Sequence, residues 1–284
     1  MALLTLVPPA SEPVTVVQQK LFARVDFPED DTLWPVLIAS AREWCEVYCQ
    51  RRFLLRTMRL LMDFFPGYID FKLAGQKVSS PFVSGSNAVL VGIRYAILLP
   101  YPRVRAIEQF SFQDENGQPV QMLAATDYIQ DLASQPARLM PNFGNMWPVA
   151  RVVANAVQVD YLTGYGGNVP VTMTAGSAAI TSSFTFYPSM VGLALTVPGA
   201  GPSAAALTTT IASVDGSGNA TAEDDAATAV TKAIAYLGEP VPDAVQIAIM
   251  RLALYYYENR NYAPDADFLK SVKGQLAPYR DLRL

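Results

Sequence analysis

Apolar residues recur at helical spacing only near the two ends of this 284-residue chain, and the stretch between is written in short β-like runs. This division constrains the fold more than any other feature, because helices that are to share a core must come from both ends. Near the start, Thr15 followed by Gln18 has the spacing of a capping box, with Pro13 just ahead, which predicts a short helix from about Val16 to Ala23. After an acidic turn, Pro28 to Thr32, the residues Leu33, Leu37, Ala41, Trp44 and Tyr48 repeat at helical intervals through about Gln50. Pro35 is tolerated there because the first turn has amide donors to spare. Acids precede this helix and Arg51 and Arg52 follow it, as its dipole favours. Toward the other end Asp243 is placed as an N-cap, and Val245, Ile249, Leu252 and Tyr256 repeat. Ile247 and Leu254 add a second apolar stripe, predicting burial on most sides. A last helix is expected from about Asp265 to Gln275.

From Phe53 to about Leu162 the pattern is of strands, rich in Val, Ile, Tyr and Phe and broken by Pro and Gly. Arg59 to Phe64 alternate, as do Ile69 and Phe71 after the Pro66-Gly67 turn. Val104 to Phe112 and Val120 to Ile129 flank Asp114, Glu115, Asn116 and Gly117, a hairpin turn. Ala154 to Tyr161 reads as one more strand. Between Gly166 and Gly238 only Asp215, Glu223, Asp224, Asp225 and Lys232 carry charge, against dense Ala, Thr, Ser, Gly and Val. This abrupt change marks an inserted module, with β-prone runs at Ala179 to Phe186, Leu193 to Val197, Thr208 to Val214 and Thr228 to Ile234. A disordered segment is the competing reading, since small side chains bury little surface. The expected organisation is a core of residues 1–165 and 239–284 carrying an inserted module of residues 166–238. The fold class is α+β: a helical bundle from both chain ends with β-hairpins, plus a small all-β insert.

Composition narrows the function. Charged residues make up 16% and hydrophobic ones 51% of the chain, and soluble domains carry roughly 25% charge. Apolar surface must therefore be buried somewhere, in part between subunits. The apolar runs Ala88 to Tyr101 and Val245 to Tyr257 are shorter than the ~20 residues a bilayer span needs and are broken by Arg94 and Arg251. No membrane association is expected. The start has no basic segment before its apolar residues, so a secretory signal is not expected either and assembly in the cytoplasm is. The chain contains no histidine, which removes Ser-His and Cys-His nucleophile systems. Cys45 and Cys49 lie four apart on one helix face, where they fill core rather than close a zinc site unaided. A net charge of −4 is a poor footprint for gripping nucleic acid, although it lets DNA pass nearby.

Several stretches together resemble the head-tail connector family of tailed bacteriophages, adaptors that stack as a ring beneath the portal. They are EPVTVVQQKLFARVD (12–26), DDTLWPVLIASAREWCEVYCQRRF (30–53), LPYPRVRAIEQF (99–110), DY (127–128), WP (147–148), VDYLTGYG (159–166), VPDAVQIAIMRLALYYYENR (241–260) and LAPYR (276–280). Their order covers about three-quarters of the chain. The insert departs from the family pattern, in which the glycine turn passes almost directly into the helix near Val241. Its VPGAG stretch, Val197 to Gly201, is more loosely similar to small β modules of other phage virion proteins. The resemblance implies a structural virion protein at the head-tail junction, without catalysis or cofactor. It further implies a ring of twelve copies, partners in the portal and in a tail or tail-completion protein, and DNA in the lumen without specific binding. It also implies that the C-terminal tail, Tyr279, Arg280, Asp281, Leu282, Arg283 and Leu284, docks on the portal, against the plainer possibility of a frayed end.

Other residues admit rival readings. Trp44, Tyr48, Tyr255, Tyr256 and Tyr257 could stack a ligand, but aromatic residues at helical spacing more often build core or subunit interface. Arg51 and Arg52 could touch DNA phosphates, or simply close a helix. Asp127 with Asp131, or Glu223 with Asp225, are the carboxylate pairs a glycosidase would need. A tail-associated module that recognises a carbohydrate or a partner protein is the alternative function, for which the insert offers only Phe184, Phe186, Tyr187 and Tyr236. No catalytic, cofactor or metal residue is assigned.

Overall fold

The structure, a computed structural model, describes residues 1–9, 11–66, 95–260 and 264–281. The alternation expected at Ile69 and Phe71, the apolar run from Ala88 to Arg94, and Leu282 to Leu284 lie outside the described residues. The chain divides into two compact units, one of residues 1–7 and 57–163, the other of residues 8–56 and 164–284.

The first unit is built of β1 (Ala2–Val7), β2 (Arg56–Met62), β3 (Ile97–Leu99), β4 (Val104–Gln113), β5 (Pro119–Gln121), β6 (Tyr128–Asp131), β7 (Ala137–Pro141) and β8 (Val157–Thr163). One sheet has the order β1-β2-β8-β4-β5 and another the order β3-β7-β6. Alternate residues of both sheets, among them Met58, Leu60, Leu99, Phe110, Leu139, Val159 and Tyr161, point into one core. Phe65 stacks on Trp147 at 5.1 Å, and Phe110 meets Tyr128 edge-on at 5.0 Å. The turn read at Asp114 to Gly117 joins β4 to β5: the Asp114 carboxylate accepts from the amides of Asn116 and Gln118 at 2.9 and 2.8 Å.

The second unit holds the helices, α1 (Val16–Ala23), α2 (Trp34–Cys49), α3 (Asp243–Glu258) and α4 (Ala266–Leu276), and the strands β9 (Gly166–Met173), β10 (Ala179–Ile180), β11 (Ala194–Val197), β12 (Leu207–Val214), β13 (Ala220–Ala222) and β14 (Val230–Gly238). The capping box at Thr15 and Gln18 is formed, and the Asp265 side chain caps α4 at the Phe268 amide, 2.7 Å away. Asp243 is not the cap of α3. Pro242 holds that place without a side-chain bond and Asp243 opens the first turn. Ile247 is 40% exposed, so α3 is not buried on most sides. On α2 the core face is Trp34, Ile38, Ala41, Cys45 and Cys49, one position round from the expected set, of which Leu33, Leu37, Trp44 and Tyr48 are half-buried.

Residues 166–238 form a six-stranded sheet, β10-β13-β12-β11-β14-β9. Thr172 and Thr181 exchange backbone bonds of 2.8 and 3.0 Å, which brings the two edges of this sheet together and leaves less open edge for stray pairing. Its core is its own: Val169, Val171, Ile180, Leu195, Val197, Ile211, Ala235 and Leu237 are buried. Gly166 lies opposite Gly238 in the β9–β14 register, so the two ends of the segment meet.

The expected helical bundle with β-hairpins is incorrect. The protein is mostly β, with large antiparallel sheets and four short helices among the described residues. The helices share a core that includes Trp34, Cys45, Val245, Ile249, Leu252, Val272 and Leu276, but none exceeds 16 residues. The sequence pattern over-weights them, because 16 residues of 3.6 periodicity give a clear signal, whereas strands of two to five residues give almost none. The short strands β3, β7 and β13 went unread for that reason; β1, at the chain start, and β9, taken for a glycine turn, were missed as well.

Candidate interaction surfaces

The glycines between β8 and β9 solve a packing problem. The backbone of residues 53–55 runs alongside, with the Tyr165 amide donating to the Phe53 carbonyl at 3.1 Å and the Leu55 amide to the Gly166 carbonyl at 3.0 Å. A Cβ on Gly164, which has φ +121°, would collide with the Leu54 carbonyl, and one on Gly166 would sit 2.6 Å from the Glu239 carbonyl. Only glycine allows both the conformation and the approach.

The segment held this way closes a buried ion network. Glu46 of α2 is fully buried and accepts from Arg42 at 3.2 Å, Arg52 at 3.3 Å, Arg56 at 2.8 Å and the Phe53 amide at 3.0 Å. Arg42 also grips Glu12 through two bonds of 2.6 and 3.2 Å. Arg52, considered above for DNA contact, is thus committed to the protein's own glutamate. The i,i+4 pair of Arg42 and Glu46 is visible in the sequence; the recruitment of Arg52, Arg56 and Glu12 is not.

Cys45 and Cys49 are buried, unbridged core residues. Burial, with the neighbouring Cys49 adding to it, raises the Cys45 thiol far above its usual range, and burial pushes Cys49 up to about 12. Neither is disposed to form the thiolate that metal binding or nucleophilic attack requires. Among the described residues no group of His, Cys, Asp or Glu is placed to hold a metal ion, and no helix is long and apolar enough to cross a membrane.

The aromatic set does not converge. Trp44 stacks on Tyr48 at 5.8 Å, Tyr255 on Phe268 at 4.5 Å, and Tyr257 on Trp34 at 4.3 Å. Tyr257 also donates to Asp30 at 2.6 Å, and Arg260 reaches the same carboxylate at 3.0 Å. Apart from the Trp44–Tyr48 pair, which lies within α2, these contacts tie α3 to α4, to α2 and to Asp30. Within the insert, Phe186 is buried against Phe184, and Tyr236 donates to the Glu239 carbonyl at 3.1 Å. A groove along β10, β12 and β13 is lined by Ile180, Thr181, Ser213, Asp215, Asn219 and Thr221. Asp215 there is occupied by its own turn, accepting from the amides of Ser217 and Asn219 at 2.8 and 2.9 Å.

Of the carboxylate pairs, Glu223 and Asp225 are exposed between β13 and β14, and Asp127 and Asp131 are engaged locally. Asp131 accepts from the Ser134 hydroxyl at 2.6 Å and from Arg138 at 2.8 Å, which holds it down at about 2. Asp127 accepts from the Leu123 amide at 2.7 Å. Among the described residues, the acid shifted furthest upward is one the sequence did not single out, Glu108. It falls at a bulge of β4, accepts from Thr57 at 3.1 Å, and is pushed up to about 7 by burial, with the Asp160 charge adding to the shift. Asp160 itself is bound by Arg59 through two bonds of 2.7 Å.

At the C-terminal end, Tyr279 packs on the helical core, Arg280 lies 5.2 Å over the Tyr48 ring, and the Asp281 amide donates to the Cys49 carbonyl at 2.9 Å. The described part of the tail is therefore fastened to the end of α2. The remaining three residues of the expected portal contact, Leu282, Arg283 and Leu284, lie outside the described residues.

No protein-family model matches the chain, and no curated protein matches its sequence. Among solved structures it is similar to a chain of a structure described as the virion of a native gene transfer agent (GTA) particle, with TM-score 0.55 and 13% identity. It is also similar to chains of the neck of an empty GTA particle computed with C6 symmetry, with TM-score 0.55 and 13% identity, and of the neck of a native GTA particle computed with C12 symmetry, with TM-score 0.52 and 14% identity. Each match covers 100% of this chain and 97% of the other. At such low identity it is the fold that is shared, along the whole chain, with chains of these GTA particle structures.

Proposed function

We propose that this chain is a structural, non-catalytic subunit of a ring in the neck of a phage-like particle, an adaptor that joins the portal to the tail and forms part of the DNA channel. The observation that carries this reading is the whole-length likeness of fold to chains of particle-neck structures. That one of those necks was computed with C12 symmetry favours twelve copies. The low charge content fits a subunit that buries apolar surface against its neighbours, and a net charge of −4 suits a wall along which DNA slides without sticking.

In this reading the tail from Tyr279 to Leu284 contacts the portal. The fastening of Tyr279 to Asp281 on α2 supports this, because it fixes the point from which the tail proceeds. Residues 166–238 act as a separate β module directed to the tail side, with 1–165 and 239–284 as the core. The module's private core and the meeting of its ends at Gly166 and Gly238 support that assignment.

The test is electron microscopy of the purified chain mixed with the portal of the same particle. A ring of this chain stacked on the portal is expected. Failure to bind the portal, or attachment as scattered single subunits, would overturn the proposal.

A further inference from the structure

Helix α1 turns Val16, Gln19 and Ala23 toward the helical core and still leaves large aliphatics outside. Gln19 is fully buried, while Val17 and Leu21, one turn apart on the opposite side, are 77% and 80% exposed. A short amphipathic helix normally turns its apolar face inward, and two large aliphatics on one outward stripe leave that stripe short of a cover. Arg24, the left-handed residue that closes the helix, follows three positions after Leu21; it is exposed and makes no ion pair with the described residues. Helix α2 presents a second outward stripe, Val36, Ser40, Glu43 and Val47, in which both valines are at least 60% exposed and the Glu43 side chain is 70% exposed. Arg42 lies 3.7 Å from Glu43 but is already bound to Glu12 and Glu46.

The two stripes share one spacing. Val17 and Leu21 stand four apart, as do Val36 and Ser40, and in each case a charged residue, Arg24 or Glu43, follows three positions on. Laid parallel, valine meets valine, the bulky Leu21 faces the small Ser40, and Arg24 meets Glu43. Building on the ring reading above, we infer that the α1 stripe of one copy docks on the α2 stripe of the next. The occupant is a second copy because this chain itself carries the matching spacing, bulk and charge. Because the two surfaces differ, the contact is head-to-tail, the kind that closes rings rather than two-fold dimers. It forms one strip of the subunit interface and leaves the rest to other surfaces.

The experiment uses full-length chains in two single variants, Val17→Cys and Val36→Cys, with a short thiol crosslinker. Native Cys45 and Cys49 are buried and will not compete. Mixing the two variants should give crosslinked dimers, and either alone should give few. Adding Arg24→Glu to the first chain should lower the yield roughly fivefold, the scale of one exposed ion pair, and adding Glu43→Arg to the second should restore it. Equal yields from Val17→Cys alone, no crosslinking at any concentration, or no restoration by charge reversal would overturn the inference. A ring on the portal without the 17–36 crosslink would sink this contact and leave the ring standing. The crosslink with portal binding absent would do the reverse.

Discussion

Replacing Glu46 with glutamine tests how the second unit is held together. The substitution keeps the shape of the side chain and removes one charge. Its carbonyl oxygen can still accept from the Phe53 amide and Arg56, which lie 3.0 and 2.8 Å from Oε1. Its NH2 group, however, replaces the oxygen that Arg42 and Arg52 reach at 3.2 and 3.3 Å, so donor faces donor. Two charge-assisted bonds worth about 1.5–3 kcal/mol each disappear, and Arg42 is left with Glu12, plus Glu43 at 3.7 Å. Removing one member of a buried ion pair typically costs ~3–5 kcal/mol, and we expect Glu46→Gln to fall in that range. That is a large share of the ~5–15 kcal/mol by which folded domains are stable. All the described helices lie in this unit, so urea unfolding followed by the helical circular-dichroism signal reads its stability. The combination Glu46→Leu with Arg42→Met and Arg56→Met, which removes charges together, should lose less than the single change. A loss below about 1 kcal/mol for Glu46→Gln would refute the reasoning, since it would mean that the arginines do not need the anion.

Glu108→Gln should stabilise the first unit in a pH-dependent way. Folding raises this carboxyl from 4.5 to about 7, so as pH rises through that window the unfolded chain ionises first and the folded state loses stability, by a constant amount above it. The variant should match wild type near pH 4.5 and exceed it by ~1–2 kcal/mol at pH 8, after allowance for partial exposure; parallel stability curves across that range would exclude the shift. Gly164→Ala should cost at least about 2 kcal/mol through its φ of +121° and its contact with the Leu54 carbonyl, measured by denaturant midpoint, and a neutral result would show that the backbone can relax there. Deleting Asn168 to Leu237 should leave a folded chain that still binds its portal, because Gly166 pairs with Gly238 and the cut ends lie side by side. An unfolded product, or one lost from a portal pull-down, would make the module part of the core.

The buried charges show where sequence reading stops. Arg42 and Glu46 form a recognisable helical pair, yet Arg52 and Arg56 look like ordinary basic residues after a helix until the chain folds them back onto Glu46. Glu108 has no sequence signal, because a β-bulge and its neighbours create its environment. The stripe on α1 is different in kind. Val17, Gln19 and Leu21 are in plain view, but which of them faces inward is settled by α3, where the Met250 carbonyl takes the Gln19 amide at 3.2 Å.

Local chemistry alone determined the positions of α1, α2, α3 and α4, the Thr15 and Asp265 caps, the Asp114 turn and the boundaries of the charge-poor segment. Each depends on residues within about one helical turn or one hairpin of each other, which is the range over which side chains act on their own backbone. Tertiary structure decided that the protein is mostly β, that β1 and β9 are strands at all, and that residues 166–238 curl until Thr172 meets Thr181. Strand pairing joins residues far apart in the chain, such as Leu3 with Leu60 and Val104 with Thr163, and a strand's stability comes from partners its own sequence does not name.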